Sequence, residues 1–270
     1  MDRVGVDLLS ALGCLPGEMV AFVGAGGKTT AAWEILSGLL EEGKPAVFTT
    51  TTHVFKPAGG EVSLILDPDP LATDVVAALG RESRVVVAGS VGEKGDPFQA
   101  AICPYPAEPV KLVGLAPGVV DRLSRELSAV TWLVEADGAR GRLLKAPAAH
   151  EPATPSEVDR VVLVAAVDAI GRPLDNATVH RPEIAARLLG VETGTTISPR
   201  LMADLMAHPL GGMKGVPSHA ESVVLLAEWN DTEASSCDSL VQRLLASPAI
   251  ARIVLADLRR GEPVRGMWTR

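Results

Sequence analysis

Val20-Ala21-Phe22-Val23-Gly24-Ala25-Gly26-Gly27-Lys28-Thr29-Thr30 decides how the rest of the chain reads. A short apolar run ends in three glycines within four positions, and a helical pattern, Ala31-Ala32-Trp33-Glu34-Ile35-Leu36, follows directly. Strand, tight glycine turn, Lys-Thr and helix are what holding a polyphosphate requires. Glycine lets backbone N–H groups turn inward at φ values that other residues resist. A helix start adds unpaired N–H groups and the positive end of its dipole. In this reading Gly24, Ala25, Gly26, Gly27, Lys28, Thr29 and Thr30 cradle the phosphates. Lys28 reaches the terminal phosphates and the Thr29 hydroxyl takes Mg²⁺.

The usual pattern for such a loop, G-x-x-x-x-G-K-[ST], would put its first glycine at position 22, which is Phe22. The shorter G-x-G-G-K-T-T form resembles the loop of Mur-ligase-like nucleotide binders. Its context, a strand before and a helix after, is the confirmation the motif requires. The competing account is a glycine turn whose lysine only caps a helix.

The bulk numbers are compatible. Of 270 residues, 47% are hydrophobic but only 3% aromatic, so the core must be Val, Leu, Ile and Ala. That composition suits parallel strands covered on both faces by helices. A net charge of −8 argues against a nonspecific nucleic-acid or anionic-membrane partner. It does not argue against a nucleotide, which needs only local positive potential. Cys14, Cys103 and Cys237 are scattered and odd in number, which predicts no disulfide framework. Met1-Asp2-Arg3 leads into a stretch too short and too acidic for a signal peptide, and no apolar run approaches a membrane span. A cytoplasmic protein is expected.

Periodicity predicts a leading helix over 6–12, strands over 19–23 and 45–50, and a helix over 29–42 between them. It continues with a helix over 71–79, a strand over 84–88, a helix over 117–127 and strands over 131–135 and 158–167. Helices over 182–189 and 199–206, a strand over 222–227, a helix over 239–246 and a last strand over 252–256 complete it. Strands and helices alternate, so the fold class expected is α/β: a mostly parallel sheet with flanking helices, a P-loop NTPase-like three-layer sandwich. One domain over 1–270 is expected, with elaborations after about residue 170.

Ligands of such sheets bind where the strands end. Thr131–Gly138 is an apolar strand closing on Glu135, Asp137 and Gly138, which is what placing a carboxylate on Mg²⁺ or on an attacking oxygen requires. An ordinary strand-ending Asp-Gly turn is the plainer account. Alternate strand positions face the same way, so Glu135 and Asp137 could share one cation. Thr51 or Thr52 would offer a further hydroxyl to Mg²⁺, with His53 facing a second substrate; a strand end with surface hydroxyls is the alternative. Arg140, Arg142, Lys145, His150 and Glu151 follow the Asp-Gly turn, where cations can offset charge developed in phosphoryl transfer. From periodicity alone, His180-Arg181-Pro182-Glu183 reads as helix-start chemistry.

Taken together, these pieces resemble a known family. Its blocks are Val-Gly-Ala-Gly-Gly-Lys-Thr-Thr at 23–30, Thr-Thr-Thr-Thr-His at 49–53 and Val-Glu-Ala-Asp-Gly-Ala-Arg-Gly at 134–141. Leu-Lys-Ala-Pro-Ala-Ala-His-Glu-Pro at 144–152, Val-His-Arg-Pro-Glu at 179–183 and Met-Lys-Gly-Val-Pro at 213–217 follow in order. The chain is similar to the YqeC family, accessory proteins of selenium-dependent molybdenum hydroxylases, from about Gly17 to the strand at 252–256. The resemblance implies functional roles for Lys145, His150, Glu151, His180 and Arg181. Members often carry an Asn-Lys-x-Asp-like segment that would read guanine. Here Ala227-Glu228-Trp229-Asn230-Asp231 lacks that lysine, so ATP is expected rather than GTP.

Two functions are compatible. One is a Mg-dependent NTP hydrolase or phosphotransferase in hydroxylase maturation. There Lys28, Thr29 and Asp137 hold phosphates and Mg²⁺, and Glu135 or His53 is base or orienter. Arg140 and Lys145 face the transferred group or an unknown small acceptor. The other is a nucleotide-gated carrier that docks a partner molybdenum hydroxylase with little turnover. Both need the same loop. The spacing G-x-G-x-x-G of dinucleotide oxidoreductases is absent.

Overall fold

Nine strands form one sheet in the computed structural model, which describes residues 6–59, 61–81, 83–101, 103–228, 237–261 and 263–270. The chain runs α1 (Leu8–Leu12), β1 (Met19–Gly24), α2 (Lys28–Glu41), β2 (Ala46–Thr50), β3 (His53–Pro57), β4 (Val62–Leu66), α3 (Ala72–Leu79) and β5 (Arg84–Ala88). It continues with β6 (Ser90–Lys94), α4 (Pro97–Ala101), β7 (Ala107–Val113), α5 (Pro117–Glu126), β8 (Thr131–Glu135), β9 (Leu144–Lys145) and β10 (Arg160–Ala166). Then come β11 (Val179–His180), α6 (Pro182–Leu189), α7 (Pro199–Ala207), β12 (Glu221–Glu228), α8 (Asp238–Leu245), β13 (Arg252–Asp257) and β14 (Val264–Thr269).

The main sheet is ordered β14-β13-β12-β10-β1-β8-β2-β5-β4, parallel throughout except for the β13–β14 pair. Its central strands are apolar on both faces because both faces are covered. Val20, Phe22, Leu133 and Val162 pack with α1 and α2 on one side. Ala21, Val23, Trp132 and Leu163 pack with α3, α5, α6, α7 and α8 on the other. This is an α/β three-layer arrangement with a mostly parallel sheet. β1 lies between β8 and β10; from β1 the chain crosses to β2 on one side, and from β8 it later passes β1 to reach β10 on the other. That reversal opens a crevice at the carboxyl end of β1, the place such sheets offer a ligand.

Several expectations are corrected. Thr51 and Thr52 follow β2 as expected, in a bend, but His53 opens a further strand that the periodicity did not predict. Strands β3, β6 and β7 make a second, antiparallel sheet ordered β3-β7-β6, so a departure from simple alternation falls between residues 53 and 113. It rests on the α2 face, where Val54, Tyr105 and Leu112 join the core and the Tyr105 ring lies 4.2 Å from that of Trp33. β4 is a further parallel strand at the sheet's edge. β13 is not the last strand: β14 returns antiparallel along it. The leading helix begins at Leu8, where the Asp7 side chain accepts from Ser10 N–H. Met1-Asp2-Arg3 and Trp229-Asn230-Asp231, on which the leader and base-selectivity readings rest, lie outside the described residues. Among the described residues no helix is long and apolar enough to cross a membrane.

Candidate functional site

β1 runs into its loop through Gly24 at φ +98°, and Gly26 and Gly27 follow at +77° and +139°. The close packing of β10 demands glycine here. A Cβ on Gly24 would lie 2.2 Å from Val164 O, and one on Gly26 would lie 2.7 Å from Ala166 Cβ. Ala25 N–H donates to Val164 O at 2.9 Å, which pins the loop to that strand. α2 starts at Lys28 with Gly27 as its cap and no capping side chain. The first-turn N–H groups, those of Lys28, Thr29 and Thr30, therefore face the crevice without an intrahelical partner.

An anion already sits at this turn, and it is the protein's own. Gly24 N–H donates to both oxygens of Asp137 at 3.1 and 3.0 Å. Lys28 Nζ lies 3.1 Å from Asp137 Oδ1 and donates to Gly24 O at 2.6 Å. Lys145 Nζ lies 2.9 Å from the other oxygen, Oδ2. Glu135 accepts from Thr29 Oγ1 at 2.6 Å and stands 4.0 Å from Lys28 Nζ. The two acids at the end of β8 thus converge on one lysine, as alternate strand positions require.

The ion chain continues outward. Lys145 Nζ lies 3.1 Å from Glu151 Oε2 and donates to Gly138 O at 2.6 Å. Arg181 forks onto Glu151 at 2.6 and 3.2 Å, and Ala148 N–H adds 3.1 Å to the same carboxylate. Lys214 Nζ donates to Ala148 O and to Ala149 O. A cavity of about 30 Å³ lies beneath, lined by Gly24, Asp137, Lys145, Leu163, Met206 and Lys214. It is large enough for a water molecule and too small for a substrate.

Burial and pairing set the ionisation. Burial pushes the Glu135 carboxyl up, against the opposing pull of Lys28 and the Thr29 hydroxyl. Burial pushes Lys145 down, against Asp137. For Glu151 burial alone would raise the carboxyl, but Lys145, the Ala148 N–H and Arg181 outweigh it and hold it at about 2. Burial, then the charges of Arg181 and Lys145, lower His180 to about 4, so its imidazole is neutral at pH 7.

A prediction follows for Glu151. Its folded-state value lies below the ordinary 4.5, so the stability it contributes is complete above about 4.5 and lost as pH falls toward about 2. The difference in urea midpoint between wild type and Glu151→Gln should therefore shrink across that window. A difference that stays constant with pH would show that the Lys145–Glu151–Arg181 pairing carries no such stability.

The structure joins Lys28, Thr29, Glu135, Asp137, Lys145, Glu151 and Arg181 through direct bonds, and it sets His180 beside Lys145 as its strand partner. It does not join the others. His53 and His150 are exposed, and among the described residues their side chains form no hydrogen bond or ion pair. The Arg140 side chain is exposed too, although its carbonyl accepts from Gln99 and Arg142. Thr51 N–H donates to Glu135 O at 3.1 Å, while its buried Oγ1 has no partner. Two residues escaped the sequence reading. Thr50 Oγ1 donates to Glu135 O at 2.8 Å and holds the turn against β8. Lys214 lies in the Met-Lys-Gly-Val-Pro block, which the family resemblance had included without assigning the lysine a role.

A family model described as "YqeC protein" matches residues 20–183. The chain belongs to the YqeC family. It is similar to the uncharacterized protein YqeC of Escherichia coli (strain K12), with 27% identity over 241 residues, 89% of this chain and 88% of that protein. No solved structure matches. The YqeC match takes in the glycine turn, both acids of β8 and the ion chain as far as Arg181, and it stops before Lys214.

Proposed function

We propose that this chain binds a nucleoside triphosphate, ATP in preference to GTP, together with Mg²⁺ at the Gly24–Thr30 turn, and hydrolyses it or transfers its terminal phosphoryl group. The observation that carries the reading is the Asp137 carboxylate, held by Gly24 N–H and Lys28 at the uncapped start of α2. The turn and its lysine thus stabilise negative charge at the end of β1.

The oxygen-rich donors fit a hard cation. The Thr29 hydroxyl and the Asp137 carboxylate would hold Mg²⁺, and the unpaired buried hydroxyl of Thr51 is available as a further oxygen. Among the described residues no three His, Cys, Asp or Glu side chains gather as a metal site. The cation would therefore draw its remaining ligands from phosphate and water, as Mg²⁺ commonly does. Bound Mg²⁺ supplies charge neutralisation at the phosphates. Lys28 would add its own positive charge there. Glu135, raised by burial, is placed to orient a nucleophile or accept its proton. The family resemblance adds the setting: maturation of selenium-dependent molybdenum hydroxylases, with a small acceptor or the hydroxylase itself as the second partner.

Calorimetric titration with non-hydrolysable ATP and GTP analogues and Mg²⁺ tests this. One charge-assisted contact is worth about 1.5–3 kcal/mol, so Lys28→Ala should weaken ATP-analogue binding about ten- to a hundredfold. Unchanged affinity in that variant would overturn the reading of the loop.

A further inference from the structure

We propose that Arg140, Lys145, His180 and Arg181 form a second anion site, which takes the oxyanion group of the second substrate. The proposal rests on the nucleotide reading only for the word "second"; the site itself is argued from its own geometry.

The β9–β11 pair puts Lys145 directly opposite His180, and Ala146 N–H donates to His180 O at 3.1 Å. Arg181 and Arg140 flank this ribbon. Both hold left-handed backbone, at φ +64° and +50°, and they are the non-glycine residues that do so among those described. Such conformations persist where the surroundings over-determine them, and they concentrate at ligand sites. In Arg181 the bidentate pair with Glu151 supplies the restraint. In Arg140 the carbonyl is held by Gln99 and Arg142, while the guanidinium makes no hydrogen bond or ion pair among the described residues. The backbone is fixed, and the cation is unpaired among the described residues.

The local charge balance is positive in a chain of net charge −8. Arg140, Lys145 and Arg181 all press on the His180 ring as cations, and Glu151 is the carboxylate opposing them. Asp137 is the next nearest acid in the chain of pairs, and it is shared with Lys28. Lys214 adds a further ammonium behind the loop, bonded to carbonyls. A neutral ligand would leave this excess uncompensated. The Arg140 guanidinium, backed by the charges of Lys145 and Arg181, matches the oxygens of phosphate-like groups.

Position separates this site from the loop. Lys28 meets Asp137 at Oδ1 and Lys145 meets it at Oδ2. One carboxylate therefore stands between two cationic positions, with the glycine turn on one side and the ribbon on the other. A terminal phosphate at Lys28 and an oxyanion on the ribbon at Arg140 and His180, with the enclosed Lys145 adding charge at a distance, would be neighbours, as a donor and an acceptor must be.

Sulfate, which does not titrate near neutral pH, is the probe, measured by calorimetry on the full chain in buffers of different ionisation enthalpy. Wild type should bind it with net proton uptake at about pH 6, because an anion beside a histidine raises its pKa. Arg140→Asn keeps a residue that tolerates left-handed backbone and should weaken binding about tenfold or more. His180→Asn should bind without proton uptake. Binding abolished by Lys28→Ala and kept in Arg140→Asn would put the anion in the glycine turn and overturn the proposal. No binding by wild type would overturn it as well. Titrating the ATP analogue into the same variants reads the nucleotide site separately, so either reading can fail alone. Phosphate and methyl phosphate, compared at about pH 8 where both are dianions, then tell a free oxyanion from an ester by which binds more tightly.

Discussion

Asp137→Ala should cost about 3–5 kcal/mol of stability, the usual penalty for removing one partner from a buried ion network. The expectation follows from how completely the surroundings are committed to this carboxylate. Asp137 is 3% exposed, and Lys28 and Lys145 are each 5% exposed. Both ammonium groups and the Gly24 N–H point at it. Without it, Lys28 keeps Gly24 O at 2.6 Å and a distant Glu135 at 4.0 Å. Lys145 is better placed, retaining Gly138 O at 2.6 Å and Glu151 at 3.1 Å. The loss is therefore concentrated at the glycine turn. Asp137→Asn keeps an acceptor and should cost less, and sulfate or phosphate should recover part of the loss in the alanine variant by occupying the vacated position. Urea titration reads the effect as a lower midpoint with an unchanged slope. A loss below about 1 kcal/mol would mean the network behaves like an exposed pair, and the view of a preformed anion hole would fail.

This network also shows how much of the molecule could be read from its sequence. The buried parallel strands β1, β2, β5, β8, β10, β12 and β13 are short Val- and Leu-rich runs bounded by turn residues, and helices such as α6 carry a clean apolar stripe. Those signals are local, so they were legible. β6 is Ser-Val-Gly-Glu-Lys and β7 contains Pro109, and neither looks like a strand until a partner pairs with it. β14 did carry a readable signal, since Val264, Gly266 and Trp268 alternate with the more exposed Arg265, Met267 and Thr269. In the site, the glycine turn and the acids after β8 are local motifs and were visible. Lys145, Glu151 and Arg181 are brought together by a ribbon joining segments more than thirty residues apart, which periodicity does not encode. The charged cluster after the Asp-Gly turn named Lys145 and Glu151, and the family resemblance gave all three their functional roles. His53, expected after β2, begins the outward-running β3, and its ring is exposed.

Gly24→Ala should be the most damaging single-methyl addition in the chain's glycine turn, and the reason can be separated into two parts. The residue sits at φ +98°, where a Cβ costs about 1–2 kcal/mol through backbone strain. That Cβ would also lie 2.2 Å from Val164 O, which belongs to β10 and cannot swing away as a side-chain end could. Overpacking of this kind adds about 1–3 kcal/mol, so a total of about 2–5 kcal/mol is expected. Gly190 isolates the first part: it caps α6 at φ +65° with nothing within 4 Å of the position of a Cβ. Gly190→Ala should therefore lose only the strain. Comparing the two by urea titration gives the steric share by difference. The same β1–β10 separation then decides function, because if Val164 moves to admit the methyl, Ala25 N–H loses its 2.9 Å bond to Val164 O and the turn opens. Gly24→Ala should then lose ATP-analogue binding even at temperatures where it remains folded, while Gly190→Ala keeps it. Equal stability losses in the two variants would show that the β10 contact does not constrain the turn.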